Sequence, residues 1–327
     1  MVKKKITTRQ ELIESLNKDH DNHVMLYGEI PEADVDMIST GITSLDEILG
    51  GGFPLGKMVE VYGPFGSGKT SLALSVLAQA QKRGLQTAYF DLEHQLNPEY
   101  SKDLGVDMNE VIVSQPPDAE TSLEIVDKMI RSGLVGVIVV DSVAAMASRA
   151  EIDGEMSDQT VGVIPRLMGR ATRKFSKPLD ENKCLLIFIN QIRDKVGGGQ
   201  YGPQTTTPGG NALKYSATMR LEVKRIGTVK DGERETGNRT KIKVTKNKFA
   251  PPAQSVEVDL IFGEGFSTAS DLLDDAMFHE VIVKKGNSYY FEDESFAVGQ
   301  SKAKIALKNQ EFFEKVQKAI DKVKETT

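Results

Sequence analysis

The chain has 327 residues, 39% of them apolar and 27% charged, and its 41 basic and 47 acidic side chains leave a formal net charge of -6. Those figures suit a globular protein of one large domain or two to three smaller ones, and they exclude a disulfide-stapled miniprotein, a collagen-like chain and a disordered tail. A single cysteine, Cys184, excludes an intrachain disulfide and a cysteine-rich zinc module, and its place in the run CLLIFI predicts a buried, inert thiol.

The amino-terminal MVKKKITTRQ starts basic but lacks the apolar stretch of a secretory signal. The longest nearly unbroken apolar run, Leu134 to Val140, has seven residues, against the ~18 to 20 that span a bilayer. A cytoplasmic protein with no membrane partner is expected. Residues 1–34 read as one helix, Thr8 to Asn17, and an extended HVMLYGEI ending at Pro31, too little to hold a core alone. Over 35–266 short apolar runs alternate with helical stretches: MVEVY (58–62), a helix after Lys69, TAYFD (87–91), VIV (111–113), a helix through Leu123 to Ile130, VGVIVVD (135–141) and LLIFIN (185–190). Strands apolar throughout and separated by helices predict an α/β fold, a mostly parallel sheet flanked by helices on both faces, with ligands at the carboxyl ends of the strands. The stretch DKVGGGQYGPQTTTPGG (194–210) reads as a functional loop. Beyond it ATMRLEVKRI, RTKIKVTKNK and SVEVDLIF alternate apolar with polar, as more exposed antiparallel strands do. Residues 267–327 turn helical again around the hairpin candidate KKGNSYYF and read as a small separate α+β domain.

Gly63-Pro64-Phe65-Gly66-Ser67-Gly68-Lys69-Thr70 matches GxxxxGK[ST], and it follows a predicted strand and opens a predicted helix. Glycines let successive N–H groups converge on a phosphate at the helix amino end. Lys69 would reach the β- and γ-phosphates and the Thr70 hydroxyl would ligate magnesium. The bland alternative, a chance glycine-rich turn, has no use for the strand before it and the helix after it. Asp141, closing the strand VIVV, stands where a magnesium-associated carboxylate is found in P-loop enzymes, although a carboxylate there also caps a following helix. Glu93, just past TAYFD, is a general-base candidate or a solvated loop acid; spacing alone leaves both open.

GPFGSGKT, FDLEH, VIVVDS, FINQIR, TTTPGGNALKY and VTKNK, in that order and spacing, closely resemble the RecA family of homologous-recombination proteins of bacteria and their phages, from about Ile38 to Gly265. The resemblance implies a RecA-like P-loop ATPase core at 35–266, an amino-terminal polymerisation segment at 1–34 and a carboxyl-terminal domain at 267–327. It implies a single-strand-DNA-dependent ATPase, with ATP and Mg2+, that forms a helical filament, pairs single-stranded with double-stranded DNA, and acts in recombination, repair and the SOS response. A single-strand binding protein and mediator proteins are further implied partners. Carried over position by position, Glu93 is the catalytic carboxylate, Asp141 the Walker B acid, and Gln191 the γ-phosphate sensor joined to the loop that moves. Ser71 and Asp91 belong to the same nucleotide site. Tyr100 is the adenine-stacking aromatic, with Asn97 where many relatives carry an Asp. Lys246 and Lys248 resemble the pair that reaches a neighbouring subunit's ATP.

Two DNA loops are implied. The first runs from Glu155 to Val163 into a helix on which Arg166, Arg170, Arg173, Lys174 and Lys177 share one face between Pro165 and Pro178. Taken alone, such a face is ordinary solvated charge. The second carries Arg193, Lys195, Gly197, Gly198, Tyr201, Thr205, Thr206, Gly209, Gly210 and Asn211. With one aromatic, affinity should rest on backbone N–H groups, threonines and electrostatics. The charge distribution agrees, since Arg220 to Lys248 holds ten basic residues against four acidic ones. The Gly197-Gly198-Gly199 run, Pro208 and Pro165 depart from the family's usual pattern, and the chain ends in KAIDKVKETT without a long acidic tail.

Overall fold

The computed structural model describes residues 8–19, 24–26, 35–155, 162–194 and 205–325. Contacts divide it into two units, Met1–Asp36 and Met37–Thr327. In the first, the helix Arg9–Asp19 opens with a reciprocal cap: Glu11 N–H donates to Thr8 Oγ1 at 3.2 Å, and Thr8 N–H donates to Glu11 Oε2 at 3.4 Å. Asn17 turns the chain back by pairing with both backbone groups of Val24, at 2.7 and 2.8 Å. Most of the expected HVMLYGEI extension lies outside the described residues.

The second unit is built on one nine-stranded sheet in the order Gly265–Phe266, Ser255–Ile261, Arg234–Lys246, Met219–Asp231, Met58–Gly63, Leu185–Gln191, Val137–Asp141, Thr87–Asp91, Val111–Ser114. The last six in that order pair in parallel; the first four pair antiparallel. The basic strands therefore continue the parallel sheet, joined to it where Met219–Asp231 pairs with Met58–Gly63. Successive strand residues face opposite sides, and both sides are apolar. Val59, Val61, Val139 and Ile187 pack against Leu72, Val76 and Leu77 of the helix Lys69–Lys82. Ile138, Val140, Leu186 and Phe188 pack with Leu123, Val126 and Ile130 of Ala119–Ser132 and with Met168, Phe175 and Leu179 of Val163–Asn182. Local signals bound these helices: Asp118 caps Ala119–Ser132 through the Thr121 N–H at 2.7 Å, and Gly133 ends it at φ 68°.

Cys184 is fully buried, and burial pushes its thiol up to about 12. The 194–210 segment is not loop throughout: Arg193–Asp194 pairs antiparallel with Thr205–Thr206 and closes its base. Past Phe266, the three-stranded sheet Ile282–Lys285, Ser288–Phe291, Glu294–Val298 and the helices Thr268–Phe278, Gln300–Ala306 and Gln310–Glu325 enclose an apolar cluster of their own around Leu272, Tyr289, Val316 and Ile320. Among the described residues no helix is long and apolar enough to cross a membrane.

Candidate functional site

Four strand ends place the chemistry. Gly63, Gln191, Asp141 and Asp91 close neighbouring parallel strands, with Gly63 in register with Gln191 and Asp91 with Asp141. After Gly63 the chain turns through Gly66 (φ 66°) and Gly68 (φ 96°), left-handed conformations that favour glycine, into the 14-residue helix Lys69–Lys82. Gly63 answers a different need, since a Cβ there would stand 2.0 Å from the Val223 carbonyl oxygen. Gly68 caps the helix without a side-chain hydrogen bond, so the first-turn N–H groups face the loop as an anion cradle. The Ser67 hydroxyl is buried and has no hydrogen-bond partner among the described residues. A phosphate oxygen would satisfy it.

Lys69 is 8% exposed, and its Nζ donates to the Pro64 carbonyl at 2.7 Å across the loop. Burial lowers its pKa, while the carboxylates of Asp141 and Glu93 work in the opposite direction. Thr70 Oγ1 and Tyr89 Oη both donate to Asp141 Oδ2, at 2.8 and 2.7 Å. Burial raises the Asp141 pKa against those two hydrogen bonds. Tyr89, buried beside Asp141, Asp91 and Glu93, is driven far above an ordinary phenol and stays a donor. An oxygen-only set of hydroxyl and carboxylate suits a hard divalent cation such as Mg2+.

Glu93 stands beside this pair. Its Oε1 accepts from Ser142 Oγ at 2.5 Å and from Gln191 Nε2 at 3.1 Å. Asp91 is placed otherwise than the nucleotide contact expected of it. One oxygen accepts from the Gln95 N–H at 3.0 Å, and the other from the Leu96 N–H at 3.3 Å and Gln115 Nε2 at 3.0 Å. It shapes the turn that carries Glu93 and does not line the cleft. Tyr100 Oη meets Ser71 Oγ at 2.6 Å, and burial raises its pKa. Asn97 caps the short helix that presents Tyr100, accepting from the Glu99 and Tyr100 N–H groups at 3.0 and 3.1 Å. An Asn serves there because the cap needs only an acceptor.

These groups line a cleft of about 440 Å³ from Phe65 to Thr70, with Glu93, Asp141, Gln191 and Tyr100 on its walls. Sequence reasoning missed Gln95 and the far wall, Leu260, Phe262 and Gly263. No motif marks that wall; it arrives through sheet order, Leu260 lying so close that a Cβ on Gly68 would stand 2.9 Å from it. Lys246 and Lys248 do not line the cleft. Lys246 Nζ donates to the Lys214 and Tyr215 carbonyls at 3.0 and 2.7 Å, and burial, with the charges of Lys248 and Arg220, lowers its pKa. Lys248 is exposed.

The two nucleic-acid candidates lie side by side. Arg166, Arg170 and Arg173 are exposed on Val163–Asn182, opposite its buried Met168, Ala171 and Phe175, and carry no ion pair among the described residues. Lys174 and Lys177 are engaged with Asp127 (2.8 Å) and Glu181 (3.5 Å), so the free basic face is narrower than the spacing implied. Gly210, at φ 74°, presses on that helix, where a Cβ would stand 3.0 Å from Pro165, and Gly209, at φ 83°, presses on the turn after Asp141, where a Cβ would stand 2.9 Å from Val143. Pro165 falls in the first helical turn, where its missing N–H costs nothing. Exposed Arg193, with Thr206 opposite it, closes the base of the second segment, and Thr205 and Asn211 flank its exit. Lys195, Gly197, Gly198 and Tyr201 lie outside the described residues.

A family model described as the RecA N-terminal domain matches residues 7–267. Curated proteins called "Protein RecA" are similar over most of the chain: that of Fusobacterium nucleatum is 47% identical over 297 residues, covering 90% of this chain and 78% of its own. That of Halalkalibacterium halodurans is 48% identical over 299 residues, covering 91% and 85%. A crystal structure of the RadB recombinase superposes with a TM-score of 0.53 at 22% identity, over 70% of this chain and 98% of that one, a likeness of fold.

Proposed function

This chain belongs to the RecA family, and from that premise we propose how its residues perform the work of a DNA-dependent ATPase recombinase in recombination and repair. The substrates are ATP and single-stranded DNA, with duplex DNA as the pairing partner and further copies of the chain as filament neighbours. Single-strand binding and mediator proteins are additional partners on this reading, and the compartment is the cytoplasm.

The first-turn N–H groups, Ser67 and Lys69 bind the phosphates. Thr70 and Asp141 would hold Mg2+, which when bound neutralises charge on the β- and γ-phosphates. Glu93 takes the proton of the attacking water, and Ser142 and Gln191 orient its carboxylate toward the γ-phosphorus. Tyr100 and Phe262 line the cleft, and on this reading their rings stack on the base. Arg166, Arg170 and Arg173, with the N–H groups and threonines of the neighbouring segment, bind the DNA backbone without reading bases.

The observation that carries this reading is the path from Glu93 through Gln191, two residues before the Arg193–Asp194 ladder, to the base of the second DNA segment. A ligand-touching residue joined to a movable element is what coupling requires. Steady-state ATP hydrolysis with and without single-stranded DNA, and with duplex as control, tests it. Single strands should stimulate turnover by about tenfold or more; turnover that ignores them would overturn the coupled reading.

A further inference from the structure

Three adjacent strands place a polar group inside the sheet that the nucleotide chemistry leaves unused. Glu60, in the middle of Met58–Gly63, is fully buried. A lone carboxylate there would be untenable. Arg220, its register partner on one neighbouring strand, donates through Nε to Oε2 at 2.5 Å and rests 4.5 Å over the Tyr62 ring. Asn190, on the other neighbouring strand, donates through Nδ2 to Oε1 at 3.0 Å.

Asn190 is itself fully buried, and its other bonds lead out of the sheet. Nδ2 also donates to the Pro208 carbonyl at 3.0 Å, and Oδ1 accepts the Gln191 N–H at 3.0 Å. One amide thus joins the backbone of Gln191, whose side chain holds Glu93, to the residue just before Gly209-Gly210. Its orientation is determined, because a carboxylate and a carbonyl can only accept while an N–H can only donate. The segment leaving Pro208 runs into the helix Asn211–Ser216, whose far end is held by Lys246.

We infer that Asn190 is a positioning residue that transmits the state of Gln191 to the exit of the second DNA segment, with the Glu60–Arg220 pair locking its amide. The inference rests on the DNA-dependent ATPase reading and adds residues to its coupling path. Movement of Gln191 relative to Glu93 shifts the N–H that Asn190 holds. The same amide carries that shift to Pro208, and so to Gly209, Gly210 and the helix beyond.

Asn190→Asp keeps the shape, loses both donors and turns an acceptor toward Glu60 and Pro208. The readout is affinity for a labelled oligothymidylate, measured with a non-hydrolysable ATP analogue and again with ADP. The ratio of the two affinities should fall about fivefold or more, with nucleotide affinity and ADP-state DNA affinity kept within about twofold. Asn190→Ser, which buries no new charge, should lose the ratio equally and carries the test where the aspartate variant does not fold. An unchanged ratio overturns the inference, and so does equal weakening in both nucleotide states, which would mark Asn190 as a structural residue alone. A wild-type chain with no nucleotide-dependent DNA affinity would defeat the parent reading, and the inference with it, before any variant is made.

Discussion

Glu93 shows what single side chains contribute. Sequence spacing left it between general base and solvated acid; two donors, Ser142 and Gln191, now fix its carboxylate at the cleft wall. Glu93→Gln keeps size and an acceptor for both neighbours but cannot take a proton. ATP hydrolysis should fall by about 10²- to 10⁴-fold, with nucleotide affinity nearly unchanged, as phosphate release and nucleotide titration would show. Turnover close to wild type would remove Glu93 from the chemistry. Lys69→Ala tests the opposite wall. Losing the one ammonium in the cradle should cost about 10²-fold or more in turnover with the circular dichroism spectrum unchanged, and full activity would refute the phosphate role. Asp91 carries the contrary lesson: at a strand end beside Asp141, it spends its oxygens on the turn that presents Glu93.

Between elements, the carboxylate of Asp259 makes the corresponding decision. It sits on Ser255–Ile261, is 2% exposed, and is shared by Arg239 at 3.0 Å, Ser270 at 2.9 Å and the ammonium of Lys304. It thereby ties the main sheet to the helices Thr268–Phe278 and Gln300–Ala306. Burial alone would raise its pKa, yet Lys304, Arg239 and Ser270 outweigh burial and hold it below the ordinary carboxylate value. A depressed pKa gives stability that is present above the unfolded pKa and is lost as pH falls through the folded one. Breaking a buried pair costs about 3–5 kcal/mol; because Arg239 keeps Asp274 and Lys304 is partly exposed, Asp259→Asn should fall at the lower end. Urea unfolding at neutral pH should show that loss, and the gap between variant and wild type should close below the usual carboxylate range. Equal midpoints at neutral pH would make the tie energetically idle.

At the scale of the whole molecule, Lys246 and Lys248 stand apart from the cleft formed by their own chain. On the filament reading they complete a neighbour's site, and a head-to-tail contact that does not close gives an open helix. Lys246→Ala with Lys248→Ala should keep nucleotide affinity within about twofold and lose DNA-stimulated hydrolysis. Mixed with Glu93→Gln, which retains both lysines, it should regain part of that activity, because some interfaces then pair an intact Glu93 with intact lysines. Two inactive variants that stay inactive together would place the lysines' role within one chain.

The phosphate loop, the apolar strands and the helix faces were legible in the sequence because each is local. Glycine spacing encodes backbone angles, and periodicity encodes which face is buried. The Arg166 face was legible too, but not that Lys174 and Lys177 are engaged with carboxylates. What only the tertiary structure decided is non-local. Thr70 meets Asp141 across 71 residues, Glu93 meets Gln191 across 98, and Asn190 meets Glu60 across 130. Strand order and register settle such meetings. Only when they are set does a buried donor or acceptor find its partner, and the burial that makes an unpaired polar group costly then selects that partner.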